Sequence, residues 1–299
     1  MIIANPIYDI VFKYLMEDIA IAKGLLSVIL NVEVTELSLR PQEWSTKTVL
    51  VDLPLNIYRL DFIAVIKSTN GAYQKVLIEL QKTKRSTNIV RFRKYLGENY
   101  DKQDAVIING KEVLQPLEII TIYFLGFDLD DVPASVTKVK NCFIDVTTGE
   151  RLKREPTNRF IRLLNHESYI VQIRKLHPNL QSRVENVLDI FSQRYKTDNE
   201  HKLDYKNNSN DPLIGLIVNR LIRAVADDNM RRNMDIEDEI NADLQDIDDK
   251  YSDRLEEKDQ IIEEKDQIIE QKNQELEQTK QDKLKLEEQI EILKRQLSK

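Results

Sequence analysis

Cysteine and histidine are nearly missing from this 299-residue chain. The single Cys142 excludes an internal disulfide, and no Cys/His cluster has the spacing of a zinc site. The three histidines, His166, His177 and His201, lie far apart, which argues against a histidine-based metal site or triad. Long apolar runs are absent as well: nothing approaches the roughly 18 consecutive apolar residues of a transmembrane helix, so no membrane association is expected. The opening Met1-Ile2-Ile3-Ala4-Asn5-Pro6 has neither the basic region nor the apolar stretch of a secretion signal. The expected location is the cytoplasm.

What the chain does have is charge, unevenly placed. The net charge of −7 is made at the C-terminal end. Residues 227–250 carry a net −7 and residues 251–299 a net −4, leaving +4 for residues 1–226. A mildly basic body on an acidic stalk is compatible with nucleic-acid binding without requiring it.

Hydrophobic periodicity divides the chain into a globular α/β body and a helical tail. Asn5-Pro6 reads as a helix cap and first position, followed by Ile7, Ile10, Val11, Tyr14 and Leu15 at helical spacing. A second helix is expected over Asp18–Leu30. Strands are expected at 44–51, 57–66 and Tyr73–Gln81, the last two joined at Ser68-Thr69-Asn70-Gly71, since Asn-Gly is a strong hairpin signal. A helix over Thr87–Gln103 follows. Leu117–Phe127 is almost continuously apolar, as expected of a strand buried on both faces. Beyond it come a hairpin at Val139–Thr147 and helices near Thr157–Leu164, Glu167–Leu176, Leu180–Tyr195 and Pro212–Ala226, with Lys196–Asp211 a polar loop. The expected division is a core over 1–130, a hairpin and helical extension over 131–226, an acidic helical linker over 227–250 and a coiled coil over 251–299.

The tail repeats itself. Glu256-Glu257-Lys258-Asp259-Gln260-Ile261-Ile262 recurs identically as residues Glu263 to Ile269. One seam runs through Leu255, Ile262, Ile269, Leu276, Lys283, Ile290 and Leu297, every seventh residue. The companion positions Lys258, Lys265, Lys272 and Thr279 are polar, and only Leu286 and Leu293 complete a second seam. The pattern predicts a coiled coil, weaker in its first half, that joins copies of the chain as a dimer or a further homo-oligomer.

Chemistry concentrates at the first hairpin. Asp61 lies within the strand expected over 57–66, and Glu79 and Gln81 share one face of the returning strand by period-2 alternation. With the turn near residue 70, Asp61 pairs with a residue close to 79. Two carboxylates there can hold one hard divalent ion, magnesium or manganese, which suits phosphodiester hydrolysis.

The blocks Asp9-Ile10-Val11-Phe12-Lys13-Tyr14-Leu15, Arg59-Leu60-Asp61, Ile78-Glu79-Leu80-Gln81, and Arg91 to Tyr95 with Tyr100, resemble the PD-(D/E)XK nuclease family transposases, also called the recombination-promoting nuclease family, over roughly residues 1–200. The resemblance implies a restriction-endonuclease-like α-β-β-β-α-β core with metal-dependent DNA cleavage. By motif position, Asp61 and Glu79 would be metal ligands. Gln81 stands where the wider superfamily has lysine; it is usual in this branch, and it can orient water or phosphate without neutralising charge. No proline precedes Asp61. Asp9 either reaches the metal through water or pairs with Lys13 one turn away.

The basic residues Lys82, Lys84, Arg85, Arg91, Arg93 and Lys94 follow directly, and either grip a phosphate backbone or form a solvated face. A second basic group, Arg151, Lys153, Arg154, Arg159 and Arg162, reads more simply as solvated surface. The leading expectation is a magnesium-dependent DNA endonuclease of recombination or a mobile element. The alternative is a catalytically degenerate nuclease fold that binds DNA or partners and assembles through its coiled coil. A third is a nuclease toxin or defence effector.

Overall fold

The structure, a computed structural model, describes residues 1–40, 62–84, 86–154, 157–177, 182–206 and 209–297. The strand expected at 44–51, Asp61 and Arg85 lie outside the described residues. The chain divides into two compact units, Met1–Asp238 and Glu239–Lys299.

The first unit is mixed α/β. Its elements are β1 (Ile2–Ala4), α1 (Asp9–Met16), α2 (Ile19–Leu30), β2 (Val34–Leu39), β3 (Phe62–Ser68), β4 (Tyr73–Gln81), α3 (Ser86–Tyr100), β5 (Asp104–Ile108), β6 (Lys111–Gln115), β7 (Glu118–Leu125), β8 (Val136–Val139), α4 (Arg159–Leu163), β9 (Glu167–Gln172), α5 (Arg183–Leu188), β10 (Lys202–Asp204), α6 (Pro212–Val225) and the first turns of α7 (Asp228–Leu297). Six strands form one sheet in the order β2-β3-β4-β7-β9-β8. β4, β7 and β9 run parallel, and the outer pairs are antiparallel. Helix α3 and the small β5–β6 hairpin make the crossover from β4 to β7, as a parallel pair requires.

Local chemistry places the central hairpin. Asp18 caps α2 by accepting from the N–H groups of Ala20 and Ile21, at 3.0 and 3.2 Å. At the β3–β4 turn Gly71 takes φ +80°, and Asn70 Oδ1 accepts from the Ala72 N–H at 2.9 Å. This sets Phe62 opposite Ile78 and Lys67 opposite Tyr73. The hairpin is buried on both faces. Phe62, Ala64, Ile66, Val76 and Ile78 join Phe12, Leu15, Leu25, Ile122 and Phe124 in the main core, while Ile63 and Leu77 pack with Phe92, Tyr95 and Ile119. Period-2 alternation puts Glu79 on the face of Leu77, toward α3.

Several expectations are corrected. Helix α1 begins at Asp9, with Tyr8 at its cap, rather than at Pro6. The Asn5 side chain is taken by Gln193 and the Glu200 carbonyl, at 3.0 and 2.9 Å, so it turns the chain one step earlier. Glu167–Leu176 contains strand β9 instead of a helix; Tyr169 and Val171 alternate into the core, and the segment pairs with both β7 and β8. Val136–Val139 pairs with β9 instead, and the turn beyond it is closed by the Ile144–Arg151 bridge, with the Asp145 N–H donating to the Glu150 carbonyl at 2.8 Å and the Leu152 N–H to the Phe143 carbonyl at 2.9 Å. The helix expected over 180–195 is short: α5 gives way to two 3₁₀ turns. The supposed loop Lys196–Asp211 contains β10, which pairs with β1. Residues 131–226 are integral to the first unit, since β8 and β9 extend the sheet and α5 and α6 pack on α2. The unit includes the first turns of α7, to Asp238.

The second unit is helical throughout its described residues, the continuation of α7. Ile262, Ile269, Leu276 and Ile290 of the heptad seam are exposed along it. No helix among the described residues is long and apolar enough to cross a membrane.

Candidate functional site

Glu79 has no solvent-exposed surface, in a strand flanked by β3 and β7. Across the parallel ladder it stands beside Tyr123, whose ring lies 4.4 Å from that of Phe92. Burial raises the Tyr123 phenol pKa above its ordinary value; a hydrogen bond with Thr121 opposes this, and the nearby Glu79 charge adds to it. The carboxylate therefore sits in the apolar layer between sheet and α3, where a charge is costly to hold without partners.

Gln81, two residues on, is also buried. Its backbone carbonyl accepts from the Gly126 N–H at 2.8 Å. Gly126 comes so close to the next peptide that an added Cβ would meet the Lys82 carbonyl oxygen at 2.4 Å. The ends of β4 and β7 are thus locked together beside Gln81.

The other predicted residues divide. Asp61, the expected companion of Glu79, lies outside the described residues, although Phe62 opposite Ile78 is the register expected from the Asn-Gly turn. Asp9 pairs with Lys13, Nζ to Oδ2 at 2.5 Å, which is the simpler of its two expected roles. Lys84, three residues past the end of β4, is exposed. Arg91 belongs to α3, with its side chain outside the described residues, as is the whole of Arg85. Arg162 of the second basic group pairs with Glu118 at 2.7 Å, which favours the surface reading for it.

Lys82 is not solvated. Its side chain is 18% exposed, with Nζ 2.5 Å from Asp238 Oδ1 and 3.7 Å from the centre of the Tyr8 ring. The Tyr8 hydroxyl donates to Asp238 Oδ2 at 2.9 Å, and His201 Nε2 lies 2.9 Å from the same oxygen. Burial works against the Asp238 carboxylate, but hydrogen bonds from Lys82, His201 and Tyr8 outweigh it and hold its pKa below the usual range. Next to it, Glu237 Oε2 accepts from the Asp9 N–H at the start of α1, at 2.9 Å. Burial, then the charge of Asp9, push the Glu237 pKa up to about 7, with Lys82 opposing. The convergence of Tyr8, His201 and the Glu237-Asp238 pair was not legible in the sequence, because no periodicity links three segments so far apart.

As a metal centre, the described residues supply hard oxygen donors at Glu79 and Gln81, a donor type suited to magnesium or manganese. Among the described residues no group of three His, Cys, Asp or Glu side chains is placed to hold an ion. The fit therefore depends on Asp61 as the second carboxylate. No family model, curated protein or solved structure matches the chain.

Proposed function

We propose that this protein is a metal-dependent DNA endonuclease that hydrolyses phosphodiester bonds, associated with recombination or a mobile element. The observation that carries the reading is Glu79: a fully buried acid on the middle strand of the sheet, two residues before Gln81 and three before a run of basic residues. The order α2-β2-β3-β4-α3-β7, with strands side by side as β2-β3-β4-β7 and β4 parallel to β7, supports a restriction-endonuclease-like core.

Glu79 and Asp61 would hold magnesium or manganese. When bound, such an ion lowers the pKa of water and stabilises charge developing on phosphate. Gln81, neutral and buried, would orient the attacking water or a phosphate oxygen through its amide. Lys84, exposed past the strand, would contact the DNA backbone, with Arg85 and Arg91 completing that contact surface. The exposed seam of α7 would join copies of the chain as a coiled-coil dimer. Such an enzyme would work in the cytoplasm.

Gln81 favours one alternative specifically. Without a lysine there, the fold can persist as a DNA-binding or interaction protein that no longer cleaves. Nicking of supercoiled plasmid in magnesium, against an EDTA control, separates the two. Wild type nicks; Asp61→Ala and Glu79→Ala lose at least about 100-fold of that rate. Equal nicking by all three removes the site, and binding without nicking by wild type selects the alternative.

A further inference from the structure

The contacts around Asp238 have the form of an anion site that is already filled. Donors from three separate segments converge on one carboxylate: Lys82 Nζ from the end of β4, the Tyr8 hydroxyl from the start of α1, and the His201 ring from the turn before β10. A fourth donor, the Asp9 N–H at the N-terminus of α1, holds the neighbouring Glu237. Carboxylate and phosphate oxygens are bound by the same charge-assisted donors. Lys82 directly follows Gln81, so this cradle adjoins the strand that carries Glu79. Its occupant belongs to residues 227–250, whose net charge is −7. Other charges also face the cradle. Asp9 is there, offset by Lys13 at 2.5 Å, and Asp235 Oδ1 lies 3.8 Å from His201 Nδ1.

We propose that the first turns of α7, through Glu237 and Asp238, act as an internal substitute for nucleic-acid phosphate, latching the cradle of Lys82, His201 and Tyr8 until DNA displaces them. The identity of the displacing anion rests on the nuclease reading; the latch itself rests on these contacts. A purely structural anchor and a latch predict opposite consequences. Neutralising an anchor weakens the protein and anything it binds, whereas neutralising a latch frees Lys82 and strengthens binding of a polyanion.

Fluorescence anisotropy of a labelled DNA duplex with the full chain, in EDTA so that nothing is cleaved, tests this. Glu237→Gln with Asp238→Asn is expected to tighten binding about tenfold and to steepen the dependence of log affinity on log salt by about one. Adding Lys82→Ala to the pair should abolish both gains. If wild type binds duplex and the neutralised pair binds equally or more weakly, the latch is wrong while the nucleic-acid reading stands. If no variant binds duplex even at low salt, both are wrong. Amide exchange on wild type needs no substitution and covers the case of a misfolded variant. Duplex should speed exchange over residues 228–238, and unchanged or slowed exchange there overturns the latch.

Discussion

Lys82 and Asp238, 156 positions apart, form an ion pair that ties the end of the middle strand to the first turns of the long helix. The lysine expected to face solvent and DNA is covered by Tyr8 and spoken for by an acid. Lys84, its second neighbour, is exposed.

Glu237 should make stability fall as pH rises through the neutral range. Its folded pKa is raised to about 7 from an ordinary 4.5, chiefly by burial, so between those values the folded state holds the extra proton. Stability from this group is complete below about 4.5, declines as pH climbs and is lost above about 7, an effect on the order of 3 kcal/mol. Thermal melts of wild type and Glu237→Gln should nearly coincide at pH 5, and the variant should melt higher at pH 8. A variant that melts lower at pH 8 contradicts the assignment.

Two glycines should respond differently to alanine. At Gly126 the new Cβ meets a backbone oxygen, that of Lys82, at 2.4 Å, and neither strand end can yield. A loss of about 2–3 kcal/mol is expected, read as a lowered denaturation midpoint. At Gly24 the nearest atom is the tip of the Leu213 side chain, at 2.5 Å, which can rotate, and alanine also gains helix propensity. There the change should stay below about 1 kcal/mol. Equal losses at both sites would mean that the β4–β7 junction is softer than described.

Removal of residues 239–299 should leave the first unit folded, because among the described residues every strand and the buried apolar clusters lie within Met1–Asp238. Light scattering should then report fewer chains per particle than for the full chain, since Ile262, Ile269, Leu276 and Ile290 are lost with the tail. An unchanged number of chains assigns assembly to the globular unit instead.

Much of the fold was legible where local chemistry decides it. Asp18 as a cap, Asn70-Gly71 as a turn, the apolar run of β7 and Pro212 opening α6 all specify structure within a few residues of themselves. The β5–β6 hairpin carried the same signal, Asn109-Gly110 with both residues at positive φ, and went unread beside its stronger neighbour. Strand β9 was misread because Tyr169, Ile170 and Val171 fit a short buried helix as well as a strand; pairing with β7 decides between them. The pairing of β1 with β10 and the donors around Asp238 depend on contacts across most of the chain, which periodicity does not encode. Strand alternation was enough to put Glu79 and Gln81 on one face of β4, whereas nothing local signalled that Asp238 occupies Lys82.

The most direct test of the account is a crystal soaked in manganese and measured at its absorption edge. The account predicts an anomalous peak within about 2.2 Å of a Glu79 carboxylate oxygen, with Asp61 as a second ligand. A fully soaked crystal with no peak at Glu79, or with the Glu79 oxygens turned away from those of Asp61, contradicts it.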